Sequence, residues 1–198
     1  INYLINDKKL LRLVLTTAAM GMCFTLSNAT QALFLVEELG VAEAAFGSVL
    51  LAGGIGAVAG AFFASRVSKR WGRGTALATG ITITTVFDLL QGFVPDVFAF
   101  MAAMAVGGFG VSLWNILLMS LYHTLIPNEI FGRIHGTRRT LVWGLMPIGA
   151  LIGGNLAKID LRMPYLVGGT IATLIAIFSF RFIKALGDES NKPDKPVR

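Results

Sequence analysis

The sequence is poor in the residues that most chemistry needs. It holds one cysteine and two histidines among 198 residues, and only 14% of its residues are charged. A lone Cys23 cannot close an internal disulfide, and no Cys-Cys or Cys-His spacing suited to a metal is present, so Cys23 reads as a small buried hydrophobe. His123 and His135 lie twelve residues apart with no acid or cysteine arranged to make them ligands or members of a triad. The Gly-Gly and Gly-x-Gly strings sit inside apolar stretches rather than between a strand and a helix, which leaves a phosphate-cradling loop unsupported. These absences argue against an enzyme, and they imply no cofactor and no metal. Ordinary soluble domains carry about 25% charged residues, so the shortage of charge also excludes that class. The chain begins at Ile1 without an initiator Met or a cleavable signal, which leads to the expectation of a piece of a longer polypeptide.

What the chain has instead is apolar length. It is 55% hydrophobic, with a mean hydropathy of +0.70. Crossing a bilayer as a helix takes about 20 mainly apolar residues, and six stretches qualify: 11–36, 46–65, 75–94, 98–121, 140–157 and 165–183. None alternates with period two, which disfavours a β-barrel. The expected architecture is an all-α membrane protein: a six-helix bundle over residues 1–186, then a polar tail over 187–198 that reads as disordered.

Seventeen lysines and arginines face eleven acids. A nucleic-acid partner would want the cations on one continuous surface; here they occupy the gaps between spans. Fifteen of the seventeen fall on one side of the six-span topology, and only Lys158 and Arg162 fall on the other, beside Glu37, Glu38, Glu43, Asp96 and Asp160. The positive-inside rule then places both ends of the segment in the cytoplasm.

Small residues mark how the spans pack. Ala52, Gly56, Gly60 and Ala64 recur every four residues in the second span, and Gly149 and Gly153 repeat the device in the fifth, near the helix-disrupting Pro147. Polar residues inside spans need a partner or a task. Asn28, Gln31 and Asn115 suit either substrate binding or helix-to-helix hydrogen bonds. Thr84, Asp88 and Gln91 share one helical face, and Asp88 is the only acid within any span. Asp88 is a candidate proton-coupling carboxylate; the alternative is a structural acid reached by water or bonded to Gln91.

Two charged stretches carry a resemblance. The first is Ala-Ser-Arg-Val-Ser-Lys-Arg-Trp-Gly-Arg-Gly at 64–74; the second is Ile-Pro-Asn-Glu-Ile-Phe-Gly-Arg at 126–133, followed by Pro147-Ile148-Gly149. In this order and spacing they resemble the C-terminal half of a major facilitator superfamily transporter, in particular the bacterial branch of drug, macrolide and siderophore exporters. Pro127, Glu129, Gly132 and Arg133 stand at the positions of that branch's Pro-acid-Gly-Arg loop. The resemblance implies one half-bundle of the major facilitator fold, helices seven to twelve, built as inverted three-helix repeats. It implies a missing N-terminal six-helix half as partner, with membrane lipids, protons and a small-molecule substrate, in a bacterial inner membrane.

Under the resemblance, helices seven, eight, ten and eleven face the central cavity. Asn28, Gln31, Trp114, Asn115 and Trp143 become the substrate-cavity candidates, and Asp88, on a peripheral helix, loses weight as the coupling acid. The implied activity is proton-driven export of small, largely hydrophobic molecules by alternating access. The alternatives are an uptake porter of the same fold and a non-transporting six-helix membrane partner protein.

The first charged stretch departs from the family's Gly-Arg-Leu-Ala-Asp-Arg-x-Gly-Arg-Arg loop. Arg66, Arg70, Gly72 and Arg73 keep the pattern, while Lys69 stands where the acid belongs. In the family that acid pairs with a cation and a helix N-terminus to latch the cytoplasmic side. Lys69 would repel Arg66 and Arg70, so the expectation is an incomplete gate that anchors the topology.

Overall fold

The computed structural model describes residues 7–189. Among these, six long helices follow one another: α1 Lys8–Asn28, α2 Phe46–Trp71, α3 Arg73–Gln91, α4 Val97–Leu125, α5 Asn128–Ala157 and α6 Met163–Glu189. Local chemistry fixes several starts. The Asp7 carboxylate accepts from the backbone N–H groups of Lys9 and Leu10, and the Asp96 carboxylate from that of Ala99, so each satisfies donors that a helix start leaves open.

Four sequence expectations change. The first span is not one helix: α1 stops at Asn28, and a short turn Gln31–Leu33 leads into a π-helix over Phe34–Glu38. The cluster Ser27-Asn28-Ala29-Thr30 explains the break. The Asn28 side chain donates back to the Phe24 carbonyl at 2.8 Å, the kind of local competition that weakens a helix.

The third span also differs. Five of the long helices are long and apolar enough to cross a membrane, and α3 is not among them. Packed between α4 and α6, α3 meets protein instead of lipid along much of its length. Its Thr84, Thr85, Asp88 and Gln91 are accordingly buried.

Finally, both charged "loops" are largely helical. α2 runs through Lys69 and Arg70 to Trp71, leaving Gly72 (φ +82°) as the single link to α3. Pro127 stands just before α5, so Glu129, Gly132 and Arg133 lie in its first turns. The expected tail loses three residues to order, because Gly187, Asp188 and Glu189 continue α6. The rest of it, residues 190–198, lies outside the described residues.

The packing has an internal symmetry. α2 lies on α4 and α5 on α1; α3 contacts α4 as α6 contacts α1; and α3 and α6 pack on each other. Exchanging α1-α2-α3 with α4-α5-α6 leaves this pattern unchanged, and the two triplets run in opposite directions. The glycines repeat it at atomic level. A β-carbon on Gly56 or Gly60 would lie 1.8 or 2.4 Å from the Ala105 or Phe109 carbonyl oxygen. On Gly149 and Gly153 it would lie 2.2 Å from those of Met22 and Leu26. The small-residue stripes are thus where two helix pairs touch backbone to backbone.

The ends are tied differently. At the lysine- and arginine-rich end, Lys9 pairs with Glu189 at 2.6 Å. There the Arg73 guanidinium also donates to Thr124 at 3.1 Å. At the opposite end, Phe34, Phe100 and Tyr165 form an aromatic cluster with centroids 5.1–6.2 Å apart. Arg162 closes over it, donating to Glu38 at 2.8 Å and to the carbonyls of Gly92 and Val94 at 3.2 and 3.0 Å.

Candidate functional site

Three cavities follow one another between the helices. The one nearest the acidic end, of about 300 Å³, is lined by Asn28, Gln31, Thr84, Asp88 and Gln91 against the glycines of α2 and α4. A middle cavity of about 210 Å³ shares Phe24, Thr84, Asp88 and Val111 with it. That middle space also shares Thr17, Trp114, Asn115, Val142 and Met146 with the third cavity, of about 430 Å³, toward the basic end. Trp143, Tyr122, His135, Arg138 and Arg139 complete the third. Most wall residues come from α1, α2, α4 and α5, while α3 supplies Ile81, Thr84, Thr85, Asp88 and Gln91 and α6 supplies Ala172.

The five cavity candidates therefore divide. Asn28 and Gln31 line the acidic-end space, where the Gln31 amide reaches the Met104 sulfur at 3.8 Å. Trp114, Asn115 and Trp143 line the basic-end space. The middle cavity joins the two groups.

Asp88 has a specific place. It is 3% exposed and accepts a 2.8 Å hydrogen bond on Oδ2 from the Ser27 hydroxyl of α1. Its other oxygen, Oδ1, has no hydrogen-bond partner among the described residues. The acid thus bonds to Ser27 rather than to Gln91, and it lines two cavities despite sitting on α3. In the sequence Ser27 was visible only as one polar residue among several.

The basic-end cavity contains residues that sequence reasoning passed over. Arg138 lies over the Tyr122 ring at 4.7 Å, and Arg139 over Trp143 at 4.2 Å. Phe131 stacks between His123 and His135 at its rim. A helical signal was there to find: 135, 138/139, 142/143 and 146 continue the face of Trp143 back toward the start of α5.

The two gate-like stretches stay outside the cavities. The Arg66 guanidinium lies 4.7 Å from the Phe62 ring centre. Lys69, Arg70, Glu129 and Arg133 are exposed. Lys69 lies in the last turn of α2, where a cation suits the helix dipole. An acid does meet the start of α3, but from another helix: the Asp188 carboxylate of α6 accepts from the Gly74 N–H at 3.2 Å.

Apolar helices packed as two opposed triplets, with joined cavities between them, define a multi-pass helical membrane protein. The model of the Major Facilitator Superfamily matches residues 13–197, and the chain belongs to that family of membrane transporters. No curated protein and no solved structure matches the chain.

Proposed function

We propose that these helices are helices seven to twelve, the C-terminal half, of a proton-driven exporter. Its substrates are small, largely hydrophobic molecules carried by alternating access in a bacterial inner membrane, with both ends of the segment cytoplasmic. The observation that carries the reading is the run of joined cavities, whose walls come mainly from the four helices that the family resemblance sets around a central path. Aromatic and amide side chains dominate its candidates, which suits apolar cargo. A second six-helix half completes the path in this reading, and the two halves rock about it.

Among the described residues Asp88 is the only carboxylate lining the three cavities, so within this half it is the proton-accepting group. The test is efflux of a lipophilic dye from cells expressing the full-length protein, with and without a protonophore. Export that stops when the proton gradient collapses is the expected result. Export indifferent to the gradient removes proton coupling, and net accumulation of the dye reverses the direction.

A further inference from the structure

We infer that the basic-end cavity is a binding site for an amphiphilic organic anion: an aromatic or aliphatic body carrying one carboxylate, sulfonate or phosphate group. This deepens the transport reading and rests on it for the claim that the cavity belongs to the substrate path.

Three observations carry it. First, the cavity holds two arginines and a histidine, and no carboxylate of the described residues lies in its wall. Among the described residues neither Arg138 nor Arg139 makes an ion pair. Second, buried polar atoms without partners gather here. Of the eight such side-chain atoms in the described residues, Tyr122 Oη, His135 Nδ1 and Arg138 Nε all belong to this one wall. Tyr122 is only 1% exposed, so its hydroxyl is withdrawn from bulk solvent. Thr17 and Arg138 approach that hydroxyl without closing a hydrogen bond. A buried polar group left unpaired costs about 1–3 kcal/mol, and two of these three, the phenol and the guanidinium nitrogen, are N–H or O–H donors. An acceptor carrying negative charge is the ligand that satisfies them together, through charge-assisted hydrogen bonds. Third, Trp114, Trp143 and Met146 give the same space an apolar wall, which free phosphate or chloride would leave unused.

The charge also separates the two ends of the path. The acidic-end cavity offers Asp88 and three amides, and the basic-end one offers cations, so an anion is held on one side of Asp88 and repelled on the other.

The test is equilibrium binding to the purified protein in phosphatidylcholine nanodiscs, by titration calorimetry with three probes on one ring: 2-naphthalenesulfonate, 2-naphthalenemethanol and 2-naphthylmethylammonium. The sulfonate is expected to bind at least about tenfold more tightly than the alcohol, with the ammonium weakest. Arg138→Gln and Arg139→Gln should each weaken the sulfonate by about tenfold and move the alcohol by less than about twofold. Retained alcohol binding shows that the variants are folded. Arg138→Lys should lose less than Arg138→Gln, and Arg181→Gln, outside the cavity, should lose nothing.

Equal affinity for the three probes, or sulfonate binding indifferent to both glutamines, overturns the proposal. Adding phosphatidylglycerol separates two sources of the same chemistry. Weakened sulfonate binding assigns the anionic group to a lipid headgroup, and unchanged binding assigns it to a soluble substrate; either supports the anion site. Because no gradient is involved, failure of dye efflux with intact sulfonate binding counts against the transport reading alone.

Discussion

Ser27 on α1 donates a 2.8 Å hydrogen bond to Asp88 on α3, and both residues are buried, at 0% and 3% exposure. The bond crosses the interior between two helices that otherwise touch little, and it fixes one carboxylate oxygen while the other, also buried, has no hydrogen-bond partner among the described residues. The arrangement holds the acid in place yet leaves it a free position for a proton.

Removing the hydroxyl and removing the charge should therefore act differently. Ser27→Ala leaves the carboxylate with neither oxygen paired, and is expected to destabilise the protein by about 1–3 kcal/mol. Asp88→Asn can still accept from Ser27 through its amide oxygen and relieves a buried charge, so its stability should equal or exceed that of the wild type. Thermal unfolding in detergent reads both. In the efflux assay Asp88→Asn should abolish the response to the proton gradient; full gradient-driven export by this variant would return Asp88 to a purely structural role.

The glycine contacts predict a sharp contrast within one helix. Gly56→Ala puts a methyl group against the Ala105 carbonyl, closer than any real contact allows, and α2 must move away from α4. The expected cost is about 1–3 kcal/mol, as for other overpacked interiors. Gly54→Ala, two residues earlier, meets nothing within 4 Å and should be neutral or gain up to about 1 kcal/mol from a stiffer unfolded chain. Melting midpoints of the pair decide it. Similar values would mean that the α2–α4 contact adjusts freely.

Arg162 is tied to three partners at the acidic end, and its arginine geometry matters. Arg162→Lys can keep the ion pair with Glu38, which is partly exposed and so worth little. It cannot also reach the carbonyls of Gly92 and Val94 as a planar fork does. Arg162→Ala should cost about 1–3 kcal/mol, with Arg162→Lys recovering less than half. Amide hydrogen exchange should rise in both variants around 92–97 and 34–41. Protection unchanged in Arg162→Ala would show that the aromatic cluster alone closes this end.

Four of the six spans, the small-residue stripes and the shared face of Thr84, Asp88 and Gln91 were legible in the sequence because each is a pattern of apolar length or period within one helix. The Ser27–Asp88 bond and the division of the cavity candidates between two spaces were not, since both depend on how α1 meets α3 and α4. The α3 helix shows the same limit. Its threonines and Asp88 are tolerated because α4 and α6 surround it, a fact that no single-helix hydropathy contains. The run at 64–74 was misread for a related reason: four cations around a glycine suggest a loop, yet a helix end also favours cations, and one glycine suffices for the turn.

That run supplies the last prediction. Gly72 combines φ +82° with ψ 150°, a region that essentially only glycine occupies, at a cost of about 1–3 kcal/mol for other residues. Gly72→Ala should lose that much stability, because Gly72 alone turns the chain between two long helices. Restoring the family's acid should not help. Lys69→Asp would place a negative charge at the C-terminal end of α2 and is expected to cost about 0.3–1 kcal/mol. The acid that α3 needs at its start already comes from Asp188, so Asp188→Asn should lose a similar amount. Comparing Lys69→Asp, Asp188→Asn and the double variant by thermal unfolding separates the two arrangements. Additive losses fit Asp188 as the resident cap, whereas a double variant more stable than Asp188→Asn alone would show that position 69 can supply the acid after all.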